Sequence, residues 1–246
     1  SRLATEAGVN RFGAHMMTGS SISDADYFPF VTGLLMDIIG KVSKELGINF
    51  EFVDLGGGLG IPYKPGEPAL DLDKAARLTA EMFSRKAEEY GMKKPQLKLE
   101  PARYFVGNAG WLVGRVHSIK ESYRKIVGTD IGMNTLARPA MYGSYHHIYV
   151  NRKEDHARAV LGLCGQLCEN TDFWVKEREL PADIAEGDLV VVENAGAYGF
   201  GMSYQYNGRL RPAEVLIHEG KAELIRDRET FEDMVRHTHV PAYLTK

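Results

Sequence analysis

The chain has 246 residues, 44% of them hydrophobic, and a formal charge of −3. That length allows one large domain or two medium ones, each with a packed core, and the mildly acidic balance gives no basic face for nucleic acid or a membrane surface. No apolar run reaches the ~20 residues that span a bilayer, no signal peptide stands out, and Cys164 and Cys168 make no disulfide framework, so a cytoplasmic protein with free thiols is expected.

In chain order, RFGAHMM (11–17) is predicted as a strand ending at Thr18-Gly19-Ser20. DYFPFVTGLLMDIIGKVSKELG (26–47) takes helical apolar spacing from about Val31 and stops at Gly47. NFEFVDL (49–55) is a strand followed by the run Gly56-Gly57-Gly58-Leu59-Gly60. DLDKAARLTAEMFSRKAEEYG (71–91) is an amphipathic helix with a solvated charged face, and QLKLE (96–100) is a third strand. This β-α-β-α-β rhythm predicts a parallel sheet. From about Trp111 the pattern changes to short β-like runs: WLVGRVHSI, RKIVGTDI, HHIYVNR, ARAVLGLCG, DLVVVENA, AEVLIHEG and KAELIR, with a short closing helix around RETFEDMVRHTH. They predict a mostly antiparallel β domain, with the boundary near residues 110–125 and the division taken as 1–115 and 116–246. Three strand–helix units cannot close an eight-stranded parallel barrel.

Parallel sheets bind ligands at the carboxyl ends of their strands. Three groups lie there: His15 to Ser20, Gly56 to Gly60, and Glu100 to Arg103. Four glycines in five residues call for left-handed backbone, close packing or close approach to a ligand, and successive N–H groups there can cradle a phosphate. The run is neither the GxGxxG of dinucleotide sites nor a P-loop. Glu100 with Arg103, taken alone, reads first as a structural ion pair. Of His146-His147, one is expected to point inward and one outward. His237 and His239 have no ligand cluster at metal spacing, so no metal site is expected.

LEPARYFVGNAG (99–110) resembles the EPGR segment of the barrel-type, pyridoxal-phosphate-dependent amino-acid decarboxylases, and the glycine run resembles their phosphate loop. DIGMNTLARPAMYGSYHHI (130–148), LCEN (167–170) and ENAGAYGFGMSYQYNGRLRPAEVL (193–216) extend the likeness in the same order over essentially the whole chain. The resemblance implies an α/β part that is the later portion of a (β/α)8 barrel, then a β-sandwich or β-barrel-like domain whose segment near 194–206 returns to the active site. It implies a cytoplasmic homodimer with shared active sites, pyridoxal 5'-phosphate as cofactor and a small amino acid as substrate.

Roles follow position by position from the likeness. Gly56, Gly57, Gly58 and Ser20 would hold the phosphate, with Pro101, Ala102 and Arg103 beside it. Glu100 would bond the pyridinium nitrogen and keep the ring an electron sink. Arg103 and Tyr198 would touch cofactor or substrate. Arg138 and Tyr142 would grip a distal carboxylate, since a guanidinium matches a carboxylate bidentately. Glu169 would take a distal ammonium, and Cys168 would return a proton to the substrate α-carbon, although a free cysteine is otherwise most often a small buried hydrophobe.

Glu169 with Arg138 favours the diaminopimelate-acting branch, giving L-lysine and CO2. A related basic amino-acid or carboxynorspermidine decarboxylase, and a non-catalytic fragment or one half of a split enzyme, stand as alternatives. The family's reactive lysine has no counterpart here: Lys41 and Lys44 fall on a helix, Lys64 follows the glycine loop and Lys98 is mid-strand. Activity is therefore expected of a full-length protein rather than of this chain. Ala102 replaces the usual glycine, and Met17 stands where a ring-stacking histidine is expected, with His15 two residues earlier. Either could stack on a cofactor ring.

Overall fold

Strands β1 (Phe12–His15), β2 (Phe50–Asp54) and β3 (Gln96–Lys98) form a parallel sheet in that order. A short helix α1 (Arg2–Glu6) precedes β1, and the crossovers are α2 (Tyr27–Leu46) and α3 (Leu72–Glu89). The computed structural model describes residues 2–245 and separates into two units, residues 1–107 and 108–246. Helix α2 begins at Tyr27, not near Val31, because Pro29 falls in the first turn, where the missing N–H has no helical acceptor to lose. Gly47 closes it at φ 66°. At α3 the Asp71 side chain accepts the Lys74 N–H at 2.9 Å.

Leu35, Met36 and Ile39 of α2 pack with Val53 and Leu55 and with Phe83 and Ala87 of α3. Each large apolar side chain buried there contributes about 1.5–3 kcal/mol. Gly40 is required at this crossing, because the Tyr90 ring occupies the place a Cβ would take. The Tyr90 hydroxyl in turn donates to Asp37 at 3.1 Å. After β3 comes a one-turn helix, α4 (Ala102–Val106).

The second unit holds β4 (Leu112–Glu121), β5 (Lys125–Thr129), a short helix α5 (Ala137–Tyr142), β6 (Ile148–Val150), β7 (Arg158–Cys164), β8 (Val175–Pro181) and β9 (Leu189–Val192). They make one six-stranded sheet in the order β6-β9-β4-β5-β7-β8. All its neighbours are antiparallel except β5 and β7, which pair in parallel at Ile126↔Gly162. The sheet curls until its edges approach: Arg178 of β8 donates to the His146 carbonyl, just before β6, at 2.9 Å. Inside lie Val116, Val127, Leu136, Val150, Leu163, Leu180 and Val190.

Strand β8 has no counterpart among the predicted runs. Its sequence VKERELP carries four charges, which suit an edge strand that must not recruit further strands but mask the apolar pattern. A hairpin of β10 (Glu214–His218) and β11 (Lys221–Arg226) and a short helix α6 (Phe231–Val235) complete the unit.

A donor cradle and a carboxylate cluster at the parallel strand ends, and a thiol loop in the second sheet

In the first unit the three predicted ligand groups come together. Register explains it: His15 pairs with Asp54, and Asp54 pairs with Lys98. Paired positions share a sheet face, and Glu100, two residues past Lys98, returns to it. A His15 ring nitrogen and carboxylate oxygens of Asp54 and Glu100 all lie within 4.8 Å of one another. Strand-like bonding continues into the loops, with Met16 N–H to Asp54 O at 3.0 Å, Leu55 N–H to Lys98 O at 3.1 Å and Glu100 N–H to Gly56 O at 2.8 Å. One histidine and two carboxylates could ligate a divalent cation, and they could equally frame a protonated ring nitrogen.

The glycine run has two demonstrable causes. Gly56 and Gly58 are left-handed, at φ 67° and 97°. A Cβ on Gly57 would lie 2.5 Å from the Glu100 carbonyl oxygen, one on Gly58 2.8 Å from that of Gly19, and one on Gly60 2.7 Å from that of Ile22. The neighbouring loops thus approach backbone to backbone, cross-bonded by Ile22 N–H to Gly58 O and Gly60 N–H to Ile22 O, both 2.8 Å. The Asp54 carboxylate turns the loop by accepting the Gly56 N–H at 2.9 Å. The N–H groups of Gly57 and Gly58 have no protein acceptor among the described residues.

Arg103 at the start of α4 is buried, donates to the hydroxyls of Ser21 and Ser20, and lies under the Tyr63 ring. Ser21 is held left-handed at φ 58°. The gathered groups are a guanidinium, two hydroxyls and two free N–H groups, with Glu100 exposed nearby in sequence. A donor set of this kind suits a phosphate dianion, and the residues present therefore fit a phosphorylated cofactor. Both Met17 Sδ and His15 Nε2 border Gly56, 2.6 and 3.3 Å from where its Cβ would be. Lys98 places its ammonium over the Phe52 ring, 4.1 Å from the centroid. Asp54, Ser21 and Tyr63 were not singled out in the sequence, although Asp54-Leu55-Gly56 carries an Asx-turn spacing.

In the second unit, Cys168 and Glu169 sit on the loop after β7. Its anchor is Asp172, 1% exposed. One Asp172 oxygen accepts the Met133 N–H at 2.7 Å and the other the Leu167 N–H at 2.6 Å. Gly132 and Gly165 are obligatory because the Asp172 carboxylate fills the space beside each. Burial pushes the Asp172 carboxyl above its ordinary range, against the two N–H groups and the Arg209 charge. Burial and the Asp172 charge also push the Cys164 thiol up, whereas Cys168 is exposed. Glu169 accepts the N–H of Asn170 at 3.0 Å. Tyr204 lies in the same neighbourhood, its phenol pushed up by burial and by the charges of Asp172, Tyr206 and Glu169.

On α5, Arg138 and Tyr142 are one turn apart yet differ in burial, at 6% and 65% exposure. Arg138 Nη1 lies 2.9 Å from His146 Nε2, and His146 Nδ1 lies 2.8 Å from the Glu193 carbonyl. A carbonyl only accepts, so Nδ1 carries the proton and Nε2 accepts from the guanidinium. His146 is 1% exposed and His147 half-buried. Tyr198 is left-handed at φ 58° in the segment after β9. Among the described residues, no helix is long and apolar enough to cross a membrane.

Residues 21–196 match the family model described as pyridoxal-dependent decarboxylase, C-terminal sheet domain. A diaminopimelate decarboxylase of Methanothermobacter thermautotrophicus is 50% identical over 246 residues, 100% of this chain and 57% of that protein. One of Archaeoglobus fulgidus is 42% identical over 238 residues, 96% of this chain and 56% of that protein. Among solved structures, the M. jannaschii diaminopimelate decarboxylase in co-complex with L-lysine matches with a TM-score of 0.82 at 38% identity, over 94% of this chain and 52% of that one. The chain spans a little over half the length of the curated relatives it matches.

Proposed function

This chain belongs to the pyridoxal-dependent decarboxylase family, and from that premise we propose that it is part of an enzyme that converts meso-2,6-diaminopimelate to L-lysine and CO2. The first unit is read as the later portion of the family's (β/α)8 barrel, and the second as its β domain. The observation that carries the reading is the donor-rich cradle of Arg103, Ser20, Ser21 and the Gly57 and Gly58 N–H groups, standing at the same strand ends as the Glu100 carboxylate.

Bound pyridoxal phosphate supplies an electron sink for the electron pair left by departing CO2. The cradle takes the phosphate charge. Pro101 and Ala102 set the turn that carries Arg103 into it. Glu100 holds the proton on the ring nitrogen, with His15 and Asp54 beside it. Met17 and His15 both border the glycine loop, and His15, drawn to the carboxylates, leaves Met17 to pack on the ring face.

Arg138, oriented through His146, and Tyr142 hold the distal carboxylate of the substrate, and Glu169 its distal ammonium. Cys168 delivers a proton to the α-carbon. Tyr198 contacts cofactor and substrate. A cytoplasmic homodimer sharing its sites, with the Cys168–Glu169 loop serving the partner, completes the proposal.

The test is in two steps. Pyridoxal phosphate is titrated against this chain by absorbance, followed by borohydride and mass spectrometry for a lysine adduct. The chain is then joined to the part of the Methanothermobacter relative outside the aligned 57%, and CO2 release from the meso substrate is measured. Release by the chimera that is lost with Glu100→Ala is the expected result. No release, with the cofactor bound, overturns the reading. A non-catalytic or split-half role then gains, a reading favoured by Lys98 being stacked on Phe52 rather than free.

A further inference from the structure

Asn207 is an asparagine in a left-handed conformation, φ 55°, followed by Gly208 at φ 69°. Its turn is closed by Gly208 N–H to Gln205 O at 3.0 Å. Both flanks of that turn are pinned to one carboxylate. Glu229 accepts from the Gln205 amide at 3.0 Å, from the Arg211 N–H at 2.8 Å and from Arg211 Nε at 2.6 Å. Burial alone would push Glu229 up, but the Arg211 and Gln205 hydrogen bonds and the Arg211 charge outweigh it and hold its carboxyl at about 2. The turn so fixed presents the Asn207 side-chain amide to Cys168: Nδ2 donates to Cys168 Sγ at 3.5 Å, across 39 residues of sequence. From the other side, Asp172 holds the Cys168 loop through the Leu167 N–H.

Left-handed backbone explains why the position tolerates asparagine, but glycine would serve that need better. Backbone geometry therefore does not account for the amide. We propose that Asn207 is a positioning residue for the Cys168 thiol. Its N–H occupies one sulfur lone pair, which fixes the side-chain rotamer, turns the S–H away from residues 205–208, and supports charge on sulfur when the proton leaves. The catalytic consequence rests on reading Cys168 as the proton donor. The positioning itself does not.

Two variants separate the amide from the turn. Asn207→Gly keeps the left-handed turn and removes the donor. Asn207→Asp keeps the shape and replaces the donor with an acceptor. Iodoacetamide reacts with the thiolate, and its rate at Cys168 in this chain is read by peptide mass spectrometry. Both variants are expected to react about two- to ten-fold more slowly, the range set by losing one hydrogen bond, with the far-UV spectrum unchanged and Cys164 as internal reference. Wild-type rates in both variants overturn the proposal.

In the chimera, Asn207→Gly is expected to lower kcat by a similar factor at unchanged KM, and to add nothing once Cys168 is serine. Loss that multiplies with Cys168→Ser overturns the catalytic half. Full kcat in Cys168→Ser alone refutes the proton-donor reading, and the alkylation rates still decide the role of Asn207.

Discussion

Replacing Gly58 by alanine asks whether the glycine run is dictated by backbone shape or by close approach. Two positions isolate the terms. Gly66 has φ 80° with nothing within 4 Å of a would-be Cβ, and Gly58 has φ 97° with the Gly19 carbonyl oxygen 2.8 Å away. Left-handed backbone costs an L-residue roughly 1–2 kcal/mol, so Gly66→Ala is expected to lose about that. Gly58→Ala pays the same and must also displace the Gly19 carbonyl. The loops it joins are locked by two 2.8 Å bonds, Ile22 N–H to Gly58 O and Gly60 N–H to Ile22 O. Weakening these adds about 0.5–1.5 kcal/mol each, for a total of about 2–5 kcal/mol.

At roughly 2–4 °C per kcal/mol for a chain of this size, differential scanning calorimetry should separate the two variants clearly. Pyridoxal phosphate titration of the same proteins should show Gly66→Ala unchanged and Gly58→Ala weakened about ten-fold or more, because the free N–H groups of the cradle move. A Gly58→Ala protein no less stable than Gly66→Ala, or one that binds cofactor as wild type, would refute the reasoning.

Glu229, held at about 2 against an ordinary 4.5, contributes on the order of 3 kcal/mol. A depressed carboxyl stabilises above its unfolded value and loses that contribution as pH falls through the folded one. Glu229→Gln should therefore be less stable at pH 7 by urea denaturation, and the gap should close between about pH 4.5 and 2. Arg138→Lys keeps the charge but loses the planar fork. In the chimera, kcat/KM for the meso substrate should fall by about 30-fold or more, as for a truncated buried charge pair, while a substrate without a distal carboxylate is little affected. Asp172→Asn offers one acceptor oxygen where two N–H groups need two, so amide hydrogen exchange should quicken at Met133 or Leu167 with the core of the second sheet unchanged.

The alternation of strand-like runs and helices made the first unit readable, because β1 and β2 are short and each leads into a long helix with an apolar face. Two local signals misled. The helical spacing is plain only from about Val31, while the helix starts at Tyr27 with Pro29 harmless in its first turn, and the charges of β8 hide an edge strand. The glycine run announced a special backbone, but its neighbours Gly19 O, Ile22 O and Glu100 O are supplied by other strand ends, and only the register of the sheet brings them there. Asn207 and Asp172 were missed for a related reason. Cys168 lies 39 residues from Asn207 and Met133 lies 39 from Asp172, whose nearer partner Leu167 is a backbone N–H that leaves no mark in the sequence, and the Asn-Gly pair at 207–208 speaks of a turn and not of a thiol.

The two carboxylates that flank the Cys168 loop are shifted in opposite directions, and the contrast explains their use. Glu229 faces an arginine and two N–H donors, so its charge is stabilised and it anchors a turn at a gain in stability. Asp172 is buried without an ion pair at hydrogen-bonding distance among the described residues, and its raised carboxyl means the charged form costs stability as pH rises through its folded value. A neutral side chain of that size would avoid the cost. Only a carboxylate, however, can accept one N–H on each oxygen, and here the two N–H groups come from different loops, at Met133 and Leu167. The charge is thus spent on geometry: it ties the loop that carries Cys168 and Glu169 to the loop after β5, at a site where a looser but more stable packing would leave the thiol undirected.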